Sequence, residues 1–350
     1  MADSIRVLFL ADTHLGFDLP VRPRVPRRRR GHDFLANYAT ALAPALAGDV
    51  DLVVHGGDIF DAPAVHASVG YQALEPLRRV AEAGVPVFVV PGNHERSAIP
   101  HAHFLAHPLV HVFDRPRSFT LEVRGMTLAL AGFPYERRGV RTLFPQLLGA
   151  TGWRPGMADQ SLLCVHHCVE GAQVGPADFT FRYAADVIRG ADIPAGLAAV
   201  LSGHIHRHQV LTRDLAGCPL AAPVLYPGSI ERTAFAEMGE RKGFMLLQLP
   251  ATPDEAASWE FRELPARPMI LRELRAEGRS AAQLDSALRD IVASVPRDAV
   301  LAVRVPGELT GEQLRVLSAP HLRSFVPETM NVDVQAEWPG RKERFSKRKA

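Results

Sequence analysis

Ile5-Arg6-Val7-Leu8-Phe9-Leu10-Ala11, followed at once by Asp12-Thr13-His14-Leu15-Gly16, is the stretch on which the fold turns. A short apolar run cut off by polar residues and glycine has the pattern of a strand buried on both faces. The same event recurs four times. Residues 51–55 stop before Gly57-Asp58, 85–90 before Gly92-Asn93-His94, 162–165 at His166-His167, and 197–201 near Gly203-His204-Ile205-His206. In open α/β sheets ligands bind beyond the carboxyl ends of the strands. The repetition therefore gathers Asp, Asn and His side chains from roughly 200 residues of chain onto one edge, as a two-metal site requires.

The chain has 350 residues, room for one large domain and a smaller one. Its 47% hydrophobic content supports a packed core and excludes disorder of the whole chain. No apolar run reaches the ~18 residues of a membrane span, so no membrane association is expected. The opening MADSIRVLFLADTH reads as the first strand, not as a signal peptide. Cys164, Cys168 and Cys218 are too few for a disulfide framework and suit a reducing cytoplasm. The net charge of +2 says little about partners.

Up to about residue 134, strands alternate with helical patterns at 32–47 and 65–83, the second stopped by Ala83-Gly84-Val85-Pro86. Residues 120–132 read as a hairpin around Arg124-Gly125, 139–149 as a short helix, and 161–250 as short strands split by Gly and Pro. The fold class is α/β, a two-sheet sandwich flanked by helices. Composition shifts at 251–258; beyond it come a strand (268–274), a helix (280–294), a strand (299–305), a helix (310–318) and a strand (329–336). The expected division is a large domain over 1–250, a linker over 251–265, a small α/β domain over 266–337 and a disordered basic tail over 338–350. No GxxxxGK[ST] phosphate loop occurs, so ATP is not hydrolysed by that route.

Two-metal sites hydrolyse phosphate esters by clamping the phosphoryl oxygens and activating water between ions about 3.5–4 Å apart. One carboxylate must bridge the ions, and Asp58 is the candidate. Asp12 and His14, two apart at a strand end, can point to one side, and His204 and His206 repeat that logic. Asn93 supplies a neutral oxygen. Mixed carboxylate, imidazole and amide ligation suits Mn, Fe or Zn better than Mg or Ca. Single D-x-H or H-x-H pairs usually bind nothing; five clusters in order, each tied to a strand end, are much harder to dismiss as scattered loop residues.

The series D-x-H, G-D-x-x-D, G-N-H-E, H-H and G-H-x-H resembles the calcineurin-like metallophosphoesterase superfamily. Asp12-Thr13-His14-Leu15-Gly16, Gly57-Asp58-Ile59-Phe60-Asp61 and His166-His167-Cys168-Val169-Glu170-Gly171-Ala172 are similar to motifs of the SbcD-type nucleases of DNA double-strand-break repair. So is Tyr226-Pro227-Gly228-Ser229-Ile230-Glu231-Arg232, followed by Phe235 and Glu237. Residues 5–250 carry the likeness, and the unit at 266–337 resembles the family's DNA-capping domain in placement. The resemblance implies two divalent ions, Mn in first place. One is held by Asp12, His14, Asp58 and His206, the other by Asp58, Asn93, His166 and His204. It implies that His94 is the catalytic acid, that His167 points to the opposite face, and that the activity is exonuclease and endonuclease processing of DNA ends and breaks. An SMC-like ATPase partner of the SbcC type is implied, as is a homodimer formed by the helices at 65–83 and 99–106.

The chain departs from the family where some members carry a second catalytic His three residues after the bridging Asp. Here that position is Asp61, with His66 a turn further on, either a substitute or a surface residue. The loop VRPRVPRRRR (21–30) packs six Arg into ten residues. Arg27, Arg28, Arg29 and Arg30 are candidate DNA-phosphate contacts, and a solvated linker is the equal alternative. Cys164, His166 and Cys168 suggest a thiolate zinc site, with buried cysteines the commoner outcome. Glu170 is a candidate outer partner of a His ligand. A metallophosphatase or small-molecule phosphodiesterase is the rival reading, since fold does not fix substrate. Protein phosphatases carry D-R-G where this chain has Asp61-Ala62-Pro63. A non-catalytic DNA-binding scaffold is the third reading, opposed by the intact ligand series.

Overall fold

The computed structural model describes residues 4–23, 25–95, 99–252 and 255–336. The tail expected over 338–350 lies outside the described residues. Residues 1–22 with 31–266 form one compact unit, and residues 23–30 with 267–350 form a second.

In chain order, the first unit contains β1 (Ile5–Leu10), α1 (Arg30–Leu46), β2 (Leu52–His55), α2 (Ala67–Glu82), β3 (Val87–Val89) and β4 (Val110–Val112). Next come β5 (Arg117–Val123), β6 (Met126–Gly132), α3 (Val140–Ala150) and β7 (Gln160–Val165). Four two-residue strands follow: β8 (Cys168–Val169), β9 (Gln173–Val174), β10 (Phe179–Thr180) and β11 (Val187–Ile188). The unit closes with β12 (Ala199–Ser202), β13 (Gln209–Arg213), β14 (Pro219–Tyr226), β15 (Gly243–Leu249) and β16 (Ser258–Glu263).

One sheet has the order β16-β15-β1-β2-β3-β4, with β1 to β4 parallel. The other has the order β13-β14-β12-β7-β6-β5, with β14, β12, β7 and β6 parallel. Alternation along each strand makes one face of each sheet part of a shared core. Val7, Phe9, Val54 and Phe88 of the first sheet pack with Leu130, Leu162, Cys164 and Leu201 of the second. The opposite face of the first sheet, including Leu8, Leu10 and Val53, packs on Phe34 and Tyr38 of α1 and Leu74 and Leu77 of α2. Ala129, Leu163 and Val200 of the second sheet pack with Val140 and Phe144 of α3. Burial on both faces is why the strands read as continuous apolar runs. Their parallel arrangement points the carboxyl ends of β1, β2 and β3, and of β7 and β12, toward the ligand-bearing loops. The hairpin turn falls at Arg124 and Gly125, both with positive φ (52° and 75°), the pattern a two-residue turn requires.

Two expectations need correction. Residues 251–265 were expected as a linker, yet they contain β16, which pairs antiparallel with β15 from Gly243↔Glu263 to Gln248↔Ser258. Trp259 and Phe261 alternate inward onto the shared core, so this segment belongs to the sheet. The expected helix at 99–106 is a single 3-10 turn, Ala102–Leu105, preceded by Pro100 and by His101 with a left-handed φ of 56°. A helix cannot propagate backward through that pair.

In the second unit β17 (Met269–Glu273), β18 (Val300–Val305) and β19 (Asn331–Ala336) form a parallel three-stranded sheet. α4 (Ala281–Ala293), α5 (Gly311–Val316) and α6 (Ala319–Arg323) supply Leu284, Leu288 and Leu322 to its core beside Leu301 and Val303. Ser280 and Thr310 start α4 and α5 with capping boxes completed by Gln283 and Gln313. Residues 23–30 are held here by backbone as well as side chain. Arg28 N–H donates to the Glu328 carbonyl (3.2 Å), Asn331 Nδ2 donates to the Arg28 carbonyl (3.0 Å), and Arg27 donates to the Val326 carbonyl.

Candidate metal centre

Five strand ends deliver the ligands, and hydrogen bonds lock the loops that carry them. Asp12 N–H donates to Gly57 O (2.9 Å), His14 N–H to Asp58 O (3.0 Å) and Leu15 N–H to Ile59 O (2.7 Å), so the loop after β1 zips onto the loop after β2. His55 fastens both. Thr13 Oγ1 donates to Ile59 O (3.0 Å), so it accepts from His55 Nε2 (3.1 Å), while His55 Nδ1 accepts from Gly57 N–H (3.2 Å). Burial pushes the His55 imidazole down to about 3, so the ring is neutral and this one tautomer satisfies both bonds.

Asp12, His14, Asp58 and His204 all have left-handed backbones, with φ of 51°, 42°, 51° and 81°. Such conformations in non-glycine residues cost about 1–3 kcal/mol each and persist only where the surroundings enforce them. Two glycines are dictated by close approach. A Cβ on Gly92 would lie 2.2 Å from Asp58 Oδ1, and one on Gly57, itself at φ 102°, would lie 2.4 Å from His166 Nδ1.

The side chains converge in two groups. Asp12, His14 and His206 place ligand atoms within 4.8 Å of one another, and so do Asp58, His166 and His204. Asn93 Oδ1 joins the second group, 3.0 Å from His166 Nε2 and 2.8 Å from His204 Nδ1. Asp58 Oδ2 is 3.4 Å from His166 Nε2 and belongs also to a group with His14 and His94, which puts it between the two sets. His14 Nε2 and His206 Nε2 face each other at 2.9 Å. Glu237 Oε1 lies 3.0 Å from His206 Nδ1, so that nitrogen carries the hydrogen and Nε2 offers a lone pair inward. Two carboxylates, four imidazoles and an amide oxygen aimed at common points, with no thiolate among them, fit a pair of divalent ions.

The electrostatics agree. Burial alone would push the His166 imidazole down, but the Asp58 charge and hydrogen bond, with Asp12, raise it to about 9. Burial works against the Asp58 charge, yet His166 and His14 hold the carboxyl well below the usual range. Burial raises Asp12. Cation and carboxylate hold each other charged where bound metal would otherwise sit.

His94 is at the rim. Its Nδ1 lies 2.7 Å from the Asp61 carbonyl and its Nε2 lies 3.8 Å from Asp58 Oδ2. Its side chain is 34% exposed, which sets it apart from buried His14, His166 and His204. His167 turns away from the cluster, accepting the Glu136 N–H at Nε2 (3.1 Å) and stacking on Tyr135 at 4.9 Å. His66 is exposed and caps α2 by accepting the Ser68 N–H. Glu170 pairs with Arg141 (2.6 Å), not with a ligand. Cys164 is in the core between the sheets, and no cysteine joins a metal-competent group among the described residues. Arg30 is buried and Arg28 exposed, with Arg27 and Arg29 between.

Sequence reading passed over His55, Glu95, Tyr135 and Lys242. Glu95, wholly buried, accepts N–H bonds from Asp58 (3.1 Å), Phe60 (2.8 Å) and Gly92 (2.8 Å), and so fixes the loops after β2 and β3 together. Burial and the Asp58 charge push its carboxyl up to about 8. Its signal was its place beside a ligand in G-N-H-E. Lys242 had a signal too, since the chain's other lysines (342, 347 and 349) all lie in the tail.

Residues 5–208 match the Calcineurin-like phosphoesterase family. The chain belongs to that family. Among curated relatives, this calcineurin-like phosphoesterase is 26% identical over 362 residues to the SbcD component of the nuclease SbcCD of Bacillus subtilis, covering 91% of this chain and 83% of that protein. It is 23% identical over 226 residues to "DNA double-strand break repair protein Mre11" of Saccharolobus solfataricus, covering 61% of this chain. A protein of the same name from Aeropyrum pernix is 27% identical over 240 residues, covering 65% of this chain. The chain spans about half the length, 54%, of each of these two Mre11 relatives.

Proposed function

We propose that this calcineurin-like phosphoesterase is a DNA nuclease that processes ends and breaks, using two divalent ions, Mn in first place. The observation that carries the phosphodiesterase chemistry is the pairing of two ligand groups around Asp58 with His94 at their open side. The names of its relatives support DNA as the substrate. Bound there, two divalent ions would clamp phosphoryl oxygens and lower the pKa of a water. The chain's own residues do the rest. Asp12, His14, Asp58 and His206 would hold one ion, and Asp58, Asn93, His166 and His204 the other. His94, its Nδ1 held by Asp61, presents Nε2 to the leaving oxygen as general acid.

Partner and assembly follow from the same reading. Without a phosphate loop, the chain would draw ATP-driven work from an SMC-like ATPase of the SbcC type. A homodimer would use the surface of α2 and the turn at Ala102–Leu105, where Tyr71, 51% exposed, meets Phe104 at 5.6 Å. Light scattering at micromolar concentration reads the dimer directly, and a monomer removes it. No helix among the described residues is long and apolar enough to cross a membrane. Purified protein with Mn, assayed on single-stranded, blunt and hairpin DNA beside bis-p-nitrophenyl phosphate, tests the function. Cleavage of the small diester without any DNA would favour the metallophosphatase or small-molecule phosphodiesterase reading.

A further inference from the structure

The motif running from Tyr226 to Glu237 has so far no task in the chemistry. Its far end reaches a ligand. Glu237 Oε1 lies 3.0 Å from His206 Nδ1. We propose that Glu237 is a positioning residue dedicated to one of the two metal positions, and that the segment from Ser229 to Lys242 is built to hold its carboxylate behind His206.

An ionised carboxylate only accepts hydrogen bonds, so Nδ1 of His206 must be the protonated nitrogen and Nε2 the ligand. The same oxygen accepts from Thr233 Oγ1 (2.7 Å), and Oε2 accepts from Thr233 N–H (3.1 Å) and Lys242 Nζ (2.8 Å). Lys242 is wholly buried. Its ammonium also donates to the backbone carbonyl of His206 (2.8 Å) and to Glu240 Oε2 (2.9 Å). One cation therefore grips the ligand's main chain and the carboxylate behind its ring. Glu240 in turn takes Arg207 Nε (3.3 Å), next along the chain from His206, and its carbonyl accepts from Arg232 (3.0 Å). A buried lysine shared by two carboxylates that bond nowhere but this cluster makes sense as a clamp, since partial satisfaction of such a network is costly.

The clamp is one-sided. His166, in the other group, anchors its Nδ1 on the backbone carbonyl of Gly56 (2.7 Å). His14 Nδ1 is 3.9 Å from Asp61, beyond hydrogen-bond distance. Outside the ligands themselves, a carboxylate within hydrogen-bond distance of a ligand imidazole occurs, among the described residues, only at His206. Such outer partners fix the ring and raise its basicity, and losing one typically weakens metal affinity about 10–100-fold. The effect should fall on the position built by Asp12, His14 and His206 and spare that of Asn93, His166 and His204.

The inference rests on the two-metal reading, and the experiment separates the two. Mn alone is titrated into metal-free full-length protein and free Mn is followed by electron paramagnetic resonance, for wild type, Glu237→Gln and Thr233→Val. The expected result is two bound ions in wild type, about 10–100-fold weaker binding of one ion only in Glu237→Gln, and a smaller loss in Thr233→Val. The metal-free thermal midpoint of Glu237→Gln should stay near wild type. Equal weakening of both ions, no weakening, or a fall in the metal-free midpoint matching that of Lys242→Ala would overturn the positioning role. Failure of wild type to bind two ions would instead overturn the metal centre itself.

Discussion

The Nδ1 of His94 lies 2.7 Å from the backbone carbonyl of Asp61, so the residue standing in the second-histidine position of related motifs orients the first histidine through its main chain. A carbonyl accepts only, which puts a hydrogen on Nδ1 and leaves Nε2 as the nitrogen that exchanges a proton with substrate. His94→Gln should keep both metals and lower kcat about 10²–10⁴-fold, the usual worth of a positioned acid. Asp61→Ala keeps the carbonyl and should cost far less. Metal content and turnover measured side by side decide it; loss of metal in His94→Gln would make His94 a ligand instead.

Asp58 stands between the two ligand groups, and its carboxylate also receives the His94 N–H at 2.9 Å. Asp58→Asn removes the charge but preserves the shape. Both bound metal and hydrolysis of a small diester should fall, with metal content read by elemental analysis. Full occupancy with normal turnover would remove the bridging role.

The arginine-rich arm calls for separate substitutions, because its members are placed differently. Arg28 is exposed, whereas Arg27 donates to Val326 O. Arg28→Ala should weaken DNA binding and flatten its salt dependence by roughly one counterion. Arg27→Ala should lower the thermal midpoint by removing an internal bond worth about 0.5–1.5 kcal/mol, or more because the donor is charged. If neither DNA affinity nor salt slope moves in Arg28→Ala, the arm does not touch DNA.

Burial pushes the Cys164 and Cys168 thiols up, so neither forms thiolate at neutral pH, and only Cys218 is exposed. Iodoacetamide at pH 8 should modify one of the three cysteines in the folded protein and all three in urea, counted by mass spectrometry. Rapid modification of Cys168 in the native protein would mean that the loop after His167 opens.

The metal ligands were legible because an apolar run followed by an abrupt polar stop marks a strand's carboxyl end in any buried parallel sheet. What could not be read was everything that depends on partners far apart in sequence. Glu95 differs from a surface acid only through three N–H groups donated by Asp58, Phe60 and Gly92. β16 was hidden because the composition shift before it resembles a linker, while its strand character comes from pairing with β15. The 3-10 turn at Ala102–Leu105 has helical spacing, but Pro100 and the left-handed His101 outweigh it. Lys242 looks like any strand-flanking lysine until Glu237 and Glu240 are seen around it.

The arm's docking also sets a schedule for synthesis. Arg27 and its acceptor Val326 are 299 positions apart, so the arm leaves the ribosome long before its docking site exists. At about 5–20 residues per second, that interval lasts roughly 15–60 s. Throughout it, a run of cationic side chains waits without its final neighbours while β1 and β2 on either side can already pair. The small C-terminal unit is thus completed by the oldest part of the chain, and a nascent polypeptide released early would carry an undocked arginine-rich loop, a ready target for RNA or for proteases.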